Sequence, residues 1–525
     1  MTTPIYYVND RPHIGHLYTS TLADALARYH RLRGRTVHFL TGTDEHGGKV
    51  EQSAAECGRS PQAHADANAT NFARAADALS ISYDDFIRTS EYRHVKQVQS
   101  AMQRLLDSGD LYLGQFEGWY DAGQEEYYTE LRARELNFVS PISGKELVRA
   151  QESNYYFRLS KYQAAVERAL TDAHASQLYV VPQARLNEVL ERVRTGLSDV
   201  PVTRTQLSWG VPVPFDSDHV VYVWIDALLN YVTALGMLDE DRQPSCLQSF
   251  WPATVHVMAK EITWFHAVIW PALLMALGFE LPRMVYSHSF WIREGRKMSK
   301  SLGNFVDLEL LQRYVDAYGL DAVRYYMLTQ GPSGTADADF SSSLIHRTYS
   351  EHLVNALGNC ASRITAMINK YFKDTGIPED TLGSDTLICN YDIRGATEAV
   401  RADALARYEA LDVQGAADAA IELVGLIDVF INDSEPFRLA KDSSQIDEVA
   451  AILYRSLDAV RIAAALLLPI MPTKCAQLQV DTLALDSVED VYRRSIDELA
   501  VWGLLKPGTQ VPKLAPFPRR DEQVK

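Results

Sequence analysis

The start of the chain alternates between a short apolar run and a longer amphipathic stretch, and this alternation restricts the fold more than any other feature. Ile5–Val8 predicts a buried strand. After a turn, Leu22, Leu26 and Tyr29 recur at the spacing of one helix face, and Gly34 predicts the end of that helix. A strand followed directly by a helix of this length is typical of a parallel α/β sheet.

The same alternation continues through Phe72 and resumes at Val220. Thr36–Leu40 predicts a second strand, and after the polar run Thr41–Gly47 a second helix is expected through Phe72. Three later apolar runs predict further strands, and the segment between two of them predicts a helix. These are the strands Val220–Trp224, Val255–Met258 and Met284–Ser287, and the helix Lys260–Leu277. The sequence therefore predicts an α/β sheet in two halves.

Two other regions differ in character from the sheet pattern. Residues 111–205 are rich in tyrosine and glutamate and predict an insertion, and the chain after Phe340 is helical in pattern to about Leu468. The tail after Lys506 is rich in proline and basic residues and is expected along the surface. The predicted segments are 1–110 and 206–303 for the sheet halves, 111–205 for the insertion, 304–345 for a linker, and 346–525 for an α-helical domain.

Composition places the chain among soluble globular proteins. Hydrophobic residues make up 47% and charged residues 23% of its 525 residues. The net charge of −17 neither indicates nor excludes nucleic-acid binding, because a local basic surface can serve inside an acidic chain. Five scattered cysteines without a CxxC pair favour reduced thiols in the cytoplasm. The most apolar stretch, Trp264–Phe279, is too short for a membrane span.

A short segment near the start, His13-Ile14-Gly15-His16, has the composition of a phosphate-binding helix start. A helix that begins just after a strand presents backbone N–H groups and the positive end of its dipole to an anion. Gly15 allows a flat base to approach the backbone, and His13 and His16 can donate to phosphate oxygens. An isolated match of this kind is more often a pair of surface histidines.

A second segment, Lys297-Met298-Ser299-Lys300-Ser301, follows the predicted strand Met284–Ser287 and a polar turn. Ammonium groups on a loop can neutralise charge on a departing pyrophosphate. A solvated basic loop is the alternative interpretation. The order of the two segments, each beside a predicted strand, favours an ATP site that releases pyrophosphate.

Together these segments resemble the two signatures of class I aminoacyl-tRNA synthetases, and the surrounding sequence resembles the methionyl-tRNA synthetases in particular. The similarity covers nearly the whole chain. The other matching stretches are Pro4–Asn9, Thr41–Gly47, Phe157–Gln163, Trp209–Pro214, Val221–Ala227 and Pro516–Arg519. The resemblance implies a Rossmann-type catalytic domain with a connective insertion, followed by a helical bundle that binds the anticodon.

The resemblance also implies the reaction and its residues. L-methionine and ATP form methionyl-adenylate with Mg²⁺ on the phosphates, and the methionyl group passes to the 3′ end of tRNA(Met). Positions matching the signatures are His13, Gly15, His16, Lys297, Met298, Ser299, Lys300 and Ser301, with Glu261 as a further ATP contact. Positions matching the methionine pocket are Ile5, Tyr7, Asp44, Trp224, Ala227, Tyr231 and His266. Asn359, Arg363 and Phe437 match the anticodon contacts.

The chain departs from the family at three points. Ala259-Lys260-Glu261 stands where Gly-Lys-Asp is common, and Glu261 is one methylene longer than the aspartate that contacts the ribose in the family. Phe437 replaces the usual stacking tryptophan but keeps an aromatic face, so weaker stacking is expected. No cysteine lies between Cys57 and Cys246, so no structural zinc is expected in the insertion.

Several alternatives stay open at the level of sequence. Without the resemblance, the pocket and anticodon candidates are more often core or bundle-packing residues. Other functions are a class I synthetase for another small apolar amino acid, a small nucleotidyltransferase, or an RNA-binding paralogue with lost or altered amino-acid activation. Because no further barrel domain follows the helical segment, a monomer is expected.

Overall fold

The computed structural model describes residues 1–121, 126–128, 130–142, 144–172, 178–239, 245–293, 295–298, 304–383 and 385–520. The chain forms two compact units. The first, called the sheet unit, comprises Met1–Arg11, Leu40–Ala73 and Asp84–Ser287. The second, called the bundle unit, comprises Pro12–Phe39, Arg74–Tyr83 and His288–Lys525. The five-segment division made from sequence is finer than these two units and stays a prediction.

A parallel sheet forms the centre of the sheet unit. Its strands are β1 (Tyr6–Tyr7), β2 (Leu40–Asp44), β3 (Asp85–Arg88), β7 (Tyr179–Val181), β11 (His256–Ala259) and β12 (Met284–His288). Thr2 pairs in parallel with Leu40 on one side and with His256 on the other. The N-terminal segment therefore lies between β2 and β11. A parallel sheet with helices between its strands confirms the predicted α/β class.

The second strand differs from its prediction. It runs over Leu40–Asp44 and not over Thr36–Leu40. Thr41 and Thr43 are buried, Thr41 as a register partner of β3 and Thr43 as a register partner of both β1 and β3. Their hydroxyls are hydrogen-bonded: Thr41 Oγ1 lies 2.6 Å from Thr3 Oγ1, and Thr43 Oγ1 donates to Glu45 at 2.8 Å. Two buried threonines in a polar run thus belong to an interior strand of the sheet.

Helices of the sheet unit also correct two predictions. The helix expected through Phe72 is two helices, α2 (Gly48–Glu56) and α3 (Pro61–Ala78), separated where Gly58 has φ +65° and Pro61 begins the next helix. The strand expected over Val220–Trp224 ends at Val221, and Val223 begins the helix α8 (Val223–Thr233). An apolar run does not by itself distinguish a strand from a buried helix.

The remaining helices and strands of the sheet unit include an antiparallel sheet of order β5-β4-β6-β8, a feature of the predicted insertion. These strands are β4 (Leu111–Asp121), β5 (Glu126–Tyr128), β6 (Val148–Phe157) and β8 (Val200–Pro201), and β9 (Thr203–Arg204) pairs with β10 (Val220–Val221). The helices are α4 (Tyr92–Asp107), α5 (Glu130–Glu135), α6 (Gln163–Thr171), α7 (Gln183–Arg194) and α9 (Trp270–Leu277).

The segment predicted as one helix over Lys260–Leu277 contains three kinds of turn. A 3₁₀ turn covers Lys260–Ile262, a π-helical turn covers Phe265–Ile269, and α9 follows. Pro271, in the first turn of α9, has no N–H to donate to the preceding turn, so regular α-helical bonding is interrupted there.

The bundle unit contains the first helix of the chain, a small sheet and the helical half predicted from sequence. Helix α1 covers Ile14–Leu32. The small sheet has the order β14-β13-β15, with β13 (Trp291–Arg293), β14 (Arg296–Lys297) and β15 (Ala338–Phe340). The later helices are α10 (Leu308–Tyr318), α11 (Leu320–Gln330), α12 (Ser342–Thr348), α13 (Asn359–Tyr371), α14 (Ile393–Glu409), α15 (Val413–Ser434), α16 (Pro436–Leu439), α17 (Ile446–Leu466), α18 (Lys474–Leu483), α19 (Val488–Tyr492) and α20 (Ile496–Leu499), with a π-helical stretch at Tyr349–Gly358. The predicted helical half is confirmed.

A buried ion pair joins two helices of the bundle unit, and part of the C-terminal tail packs into the same unit. Arg324 on α11 is fully buried and donates to Asp24 on α1 at 2.7 Å. In the tail, Val511, Leu514 and Phe517 are buried, and this corrects the expectation of a surface tail. The apolar residues between the tail's prolines are what pack inward.

In the described part of the chain, no helix combines the length and apolar character that crossing a membrane requires.

Candidate active site

The first signature lies at the N-terminus of α1, in the bundle unit. His13 is the N-cap residue, and its Nδ1 accepts a hydrogen bond from the Gly15 N–H at 3.1 Å. The His13 N–H donates in turn to His16 Nδ1 at 3.3 Å, and the two imidazole rings stack 3.9 Å apart. In both neutral rings the proton is therefore on Nε2, the atom that can donate to a phosphate oxygen.

The charge state of His16 follows from its surroundings. Burial, and then the neighbouring charge of His13, hold the pKa of His16 well below its ordinary value of 6.5. His16 is thus a neutral donor at physiological pH. A neutral imidazole stabilises negative charge by hydrogen bonding, and it adds to the positive end of the α1 dipole.

The structure brings the chain that follows the second signature next to the start of α1 in the bundle unit. Lys297 ends β14, and Met298 follows it. After the signature, the Ile14 N–H donates to the Val306 carbonyl at 3.0 Å, and Phe305 packs its ring 5.2 Å from that of His13. Ser299, Lys300 and Ser301 lie outside the described residues.

In the sheet unit, Tyr7 and Asp44 are adjacent on neighbouring strands. They are register partners in the β1–β2 pair, and Asp44 is the last residue of β2 and is buried. Gly47, three residues further on, has φ +102°, and a Cβ there would lie 2.5 Å from the Tyr7 hydroxyl. The turn after Asp44 therefore requires glycine. Ile5 is partly buried against the main apolar core of this unit.

The other pocket candidates lie on α8 and on the π-helical turn. Trp224, Ala227 and Tyr231 share α8, and the Tyr231 hydroxyl lies 2.7 Å from His266 Nε2. His266 Nδ1 donates to the Ile262 carbonyl at 3.0 Å, so Nε2 is unprotonated and accepts from Tyr231. The structure thus brings Tyr231 and His266 together in a buried hydrogen-bonded contact, with Ala227 and the half-buried Trp224 on the same helix as Tyr231.

Burial fixes the charge of these groups as neutral. It lowers the pKa of His266 to about 4 and raises that of the Tyr231 hydroxyl. A surface of neutral rings suits an uncharged, polarisable side chain such as a thioether. Trp224 contributes its ring, which stacks on Phe265 with centroids 4.0 Å apart.

Glu261 lies in the 3₁₀ turn directly after β11 and is exposed. In parallel α/β sheets, ligands bind beyond the carboxyl ends of the strands. The position of Glu261 is therefore compatible with a ligand contact.

Several buried polar residues around these candidates were missed from the sequence. Glu45 is fully buried and accepts from Thr43, Arg88 and Ser90, and the Trp209 indole donates to the Glu45 carbonyl at 2.5 Å. His46, His94 and Asp226 form a second buried group, described below. The polar run after Thr41, which contains Glu45 and His46, is the one sequence signal for these residues. Their hydrogen-bond partners are far away in the chain, so no local pattern indicates them.

The anticodon candidates lie in the bundle unit. Asn359 is the exposed first residue of α13, and Arg363, one turn further, pairs with Asp428 on α15 at 3.1 Å. Phe437 on α16 is 40% exposed. An exposed aromatic ring such as that of Phe437 can stack on a base.

Neutral buried histidines predict a pH dependence of stability. Burial lowers the pKa of His266 and of His288 to about 4, while the unfolded chain titrates near 6.5. Between these values the unfolded state binds protons that the folded state excludes, so the free energy of unfolding should fall as the pH falls from 6.5 towards 4. Urea denaturation at pH 7, 6 and 5 measures it. His288→Asn should reduce the slope, and equal stability at the three pH values would contradict the assignment.

No group of three or more His, Cys, Asp or Glu side chains in the described residues has the arrangement of a metal site. The expected lack of a structural zinc stays a prediction.

Comparison with known proteins gives similarity over nearly the whole chain. A family model described as tRNA synthetases class I (M) matches residues 1–134 and 131–365. A methionine–tRNA ligase of Halalkalibacterium halodurans is 40% identical over 537 residues, covering 99% of this chain and 78% of the relative. A methionine–tRNA ligase of Streptomyces coelicolor is also 40% identical, covering 100% of this chain and 97% of the relative.

Solved structures give the same result for the fold. Mycobacterium tuberculosis methionyl-tRNA synthetase in complex with methionyl-adenylate matches with a TM-score of 0.89 and 35% identity, covering 99% of both chains. The ligand-free form of that protein matches with a TM-score of 0.83 and 32% identity. These similarities cover the catalytic candidates and the helical half alike.

Proposed function

The chain belongs to the methionyl-tRNA synthetases, a family of class I aminoacyl-tRNA synthetases, and from this membership we propose how its own residues divide the reaction. The enzyme is a methionine–tRNA ligase that uses ATP to activate L-methionine and then charges tRNA(Met) for translation. Activation forms methionyl-adenylate and pyrophosphate. No covalent enzyme intermediate is required, so catalysis depends on positioning and on electrostatic stabilisation.

Most of the groups proposed for ATP lie in the bundle unit. We assign the Nε2–H groups of His13 and His16 to phosphate oxygens, because their Nδ1 atoms are already occupied as acceptors at the start of α1. Gly15 keeps the approach to the helix start open for the adenosine. Lys297 and Lys300 neutralise the charge that develops on pyrophosphate, within Lys297–Ser301. Glu261 of the sheet unit is assigned to the ribose hydroxyls.

The sheet unit supplies the groups for methionine. Asp44, buried at the end of β2, binds the α-ammonium group. Tyr231 and His266 present neutral rings to the thioether, with Trp224 and Ala227 on the same helix as Tyr231. Ile5 and Tyr7 complete the pocket. Sulfur packs favourably at the edges of aromatic rings.

The observation that carries this proposal is the reciprocal hydrogen bonding of His13, Gly15 and His16 at a helix start, together with the pairing of Ile14 and Val306 just after the second signature. These contacts support the proposal because both histidines and the chain just after the lysine segment lie at the start of α1. Charging of a tRNA(Met) transcript with radiolabelled methionine tests the function. Charging that needs both ATP and methionine is expected, and no charging would contradict the proposal.

We assign recognition of the tRNA anticodon to Asn359, Arg363 and Phe437. Replacing Phe437 with alanine should lower kcat/KM for tRNA charging by roughly tenfold, because base stacking contributes about 1–3 kcal/mol. Methionine-dependent ATP–pyrophosphate exchange should be unchanged, since that assay needs no tRNA. Both assays on the same preparation measure this split.

Two variants control the Phe437 experiment. Phe437→Trp should keep or improve charging, because the indole offers a larger face. Val501→Ala removes another exposed apolar side chain of the bundle unit and should leave both assays unchanged. Equal losses in charging and exchange for Phe437→Ala would show that Phe437 is structural.

Three further assignments are part of the proposal. Mg²⁺ is expected to enter with ATP, held by phosphate oxygens, as is usual for nucleotides. The monomeric state and the cytoplasmic location stay predictions. Light scattering of the purified protein measures its oligomeric state, and a dimer at micromolar concentration would contradict the predicted monomer.

A further inference from the structure

Three buried side chains in the sheet unit form a hydrogen-bonded group that the reaction described above does not use. Asp226 on α8 accepts from His46 Nδ1 through Oδ2 at 2.7 Å and from His94 Nε2 through Oδ1 at 2.8 Å. His46 and His94 are 180 and 132 residues away from it in sequence. Asp226 and His94 are fully buried, and His46 is 4% exposed.

The proton positions in this group follow from its partners. Asp226 is ionised: burial alone would raise its pKa, but the charges and hydrogen bonds of His46 and His94 lower that pKa to about 2. An ionised carboxylate only accepts, so both histidine nitrogens facing it donate. His94 Nδ1 lies 2.7 Å from the Thr233 hydroxyl on α8. His94 thus joins α4 to α8 on both of its nitrogens.

The group lies beside the proposed methionine-binding residues on both sides. His46 is two residues after Asp44, in the turn that follows β2. Asp226 is two residues after Trp224 and directly precedes Ala227 on α8. The turn has other fixed points: the Gly47 N–H donates to the Trp209 carbonyl at 3.1 Å, and the Trp209 ring packs edge-on against His46 at 5.2 Å.

We propose that Asp226 is a positioning residue for the amino acid: held by His94, its carboxylate fixes His46 and so sets the distance between Asp44 and the helix that carries Trp224, Ala227 and Tyr231. This inference rests on the assignment of the methionine pocket made above. Side chains that bind the two ends of one small substrate must keep a fixed separation, and a displacement of about 1 Å can cost about 100-fold in rate. A buried, doubly hydrogen-bonded carboxylate resists such a displacement.

Asp226→Asn tests the proposal with little change in shape. The amide can accept from one histidine only, and its NH₂ group faces the other donor. We expect the KM for methionine in ATP–pyrophosphate exchange to rise about tenfold, while the KM for ATP stays within about twofold. A variant that was only less stable would not raise the KM for methionine while leaving the KM for ATP unchanged.

Gln97→Met is the matched control. Gln97 lies on α4 one turn after His94, is equally buried, and also joins α4 to α8 by donating to the Thr233 carbonyl at 2.8 Å. It makes no hydrogen bond to Asp226 in the described residues. This variant should lower the melting temperature and leave both KM values unchanged.

His94 variants keep the proposal testable if Asp226→Asn does not fold. His94→Gln retains a donor for Asp226 and should keep the KM for methionine nearer the wild-type value than His94→Leu does. An unchanged KM for methionine in folded Asp226→Asn, or an equal rise in both KM values, overturns the positioning role. Wild-type protein without methionine-dependent exchange would instead overturn the proposed function.

Discussion

Replacement of Lys300 with alanine should lower the rate of methionine-dependent ATP–pyrophosphate exchange by about 10²–10³-fold, the usual effect of removing one preorganised group that stabilises developing charge. The lysine is proposed to act on the departing pyrophosphate. The chain on either side of its segment is fixed: β14 pairs Lys297 with Ile292 before it, and Val306 bonds to Ile14 after it. Lys300 itself lies outside the described residues.

The fold should survive this change, because no packing or hydrogen-bonding role is assigned to Lys300 and a substitution away from such features usually changes stability by no more than about 0.5 kcal/mol. Lys373→Ala is a suitable control, since Lys373 is an exposed lysine of the same unit in the turn after α13. It removes the same charge from the chain at another position and should leave exchange unchanged. Near-normal exchange in Lys300→Ala, with an unchanged melting temperature, would contradict the role given to the lysine segment.

Asp44→Asn should lower kcat/KM for methionine in the same assay by at least roughly 100-fold, because removing one partner of a buried ion pair costs about 3–5 kcal/mol. The amide has nearly the shape of the carboxylate but no charge to pair with the α-ammonium group. Asp44 keeps its backbone place in β2 in this variant, since the Val8 N–H donates to its carbonyl and not to its side chain.

Asp110→Asn controls for the loss of a buried carboxylate in the sheet unit. Asp110 is buried and accepts from Lys161 at 2.6 Å and from Tyr162 at 3.0 Å, in a region to which no substrate contact is assigned. This variant should lose stability while its kcat/KM for methionine stays within about twofold of wild type. If the two aspartate variants lost activity equally, Asp44 would have a structural role only.

Local sequence patterns predicted the elements whose residues interact mainly with their own neighbours. Helix α1 and its N-terminal histidine segment are of this kind, since His13 caps its own helix through Gly15 and His16. The helical half after Phe340 is another, because long apolar faces at helical spacing determine its helices. The signature residues could be found for the same reason: each signature is a contiguous segment.

Elements that depend on distant partners were placed less accurately. The strand over Leu40–Asp44 includes Thr41 and Thr43, whose burial is possible only because Thr3 and Glu45 satisfy their hydroxyls. The strand predicted to extend to Trp224 ends at Val221. These are tertiary effects, and a single sequence carries no pattern for them.

The candidate site shows the same division. Asp44 stands out in the sequence as a carboxylate in a glycine-flanked polar run. The group of His46, His94 and Asp226 does not stand out, because its members are single polar residues on three separate segments. Hydrogen bonding between such segments is visible only once the fold is known.

The most direct test of the whole account is ATP–pyrophosphate exchange measured with each of the twenty amino acids in turn. Exchange depends on activation alone, so it reports the amino acid that the sheet unit selects, without any contribution from tRNA. We predict exchange with methionine and only background exchange with the other nineteen. Exchange with a different amino acid only, or with none, would contradict the account.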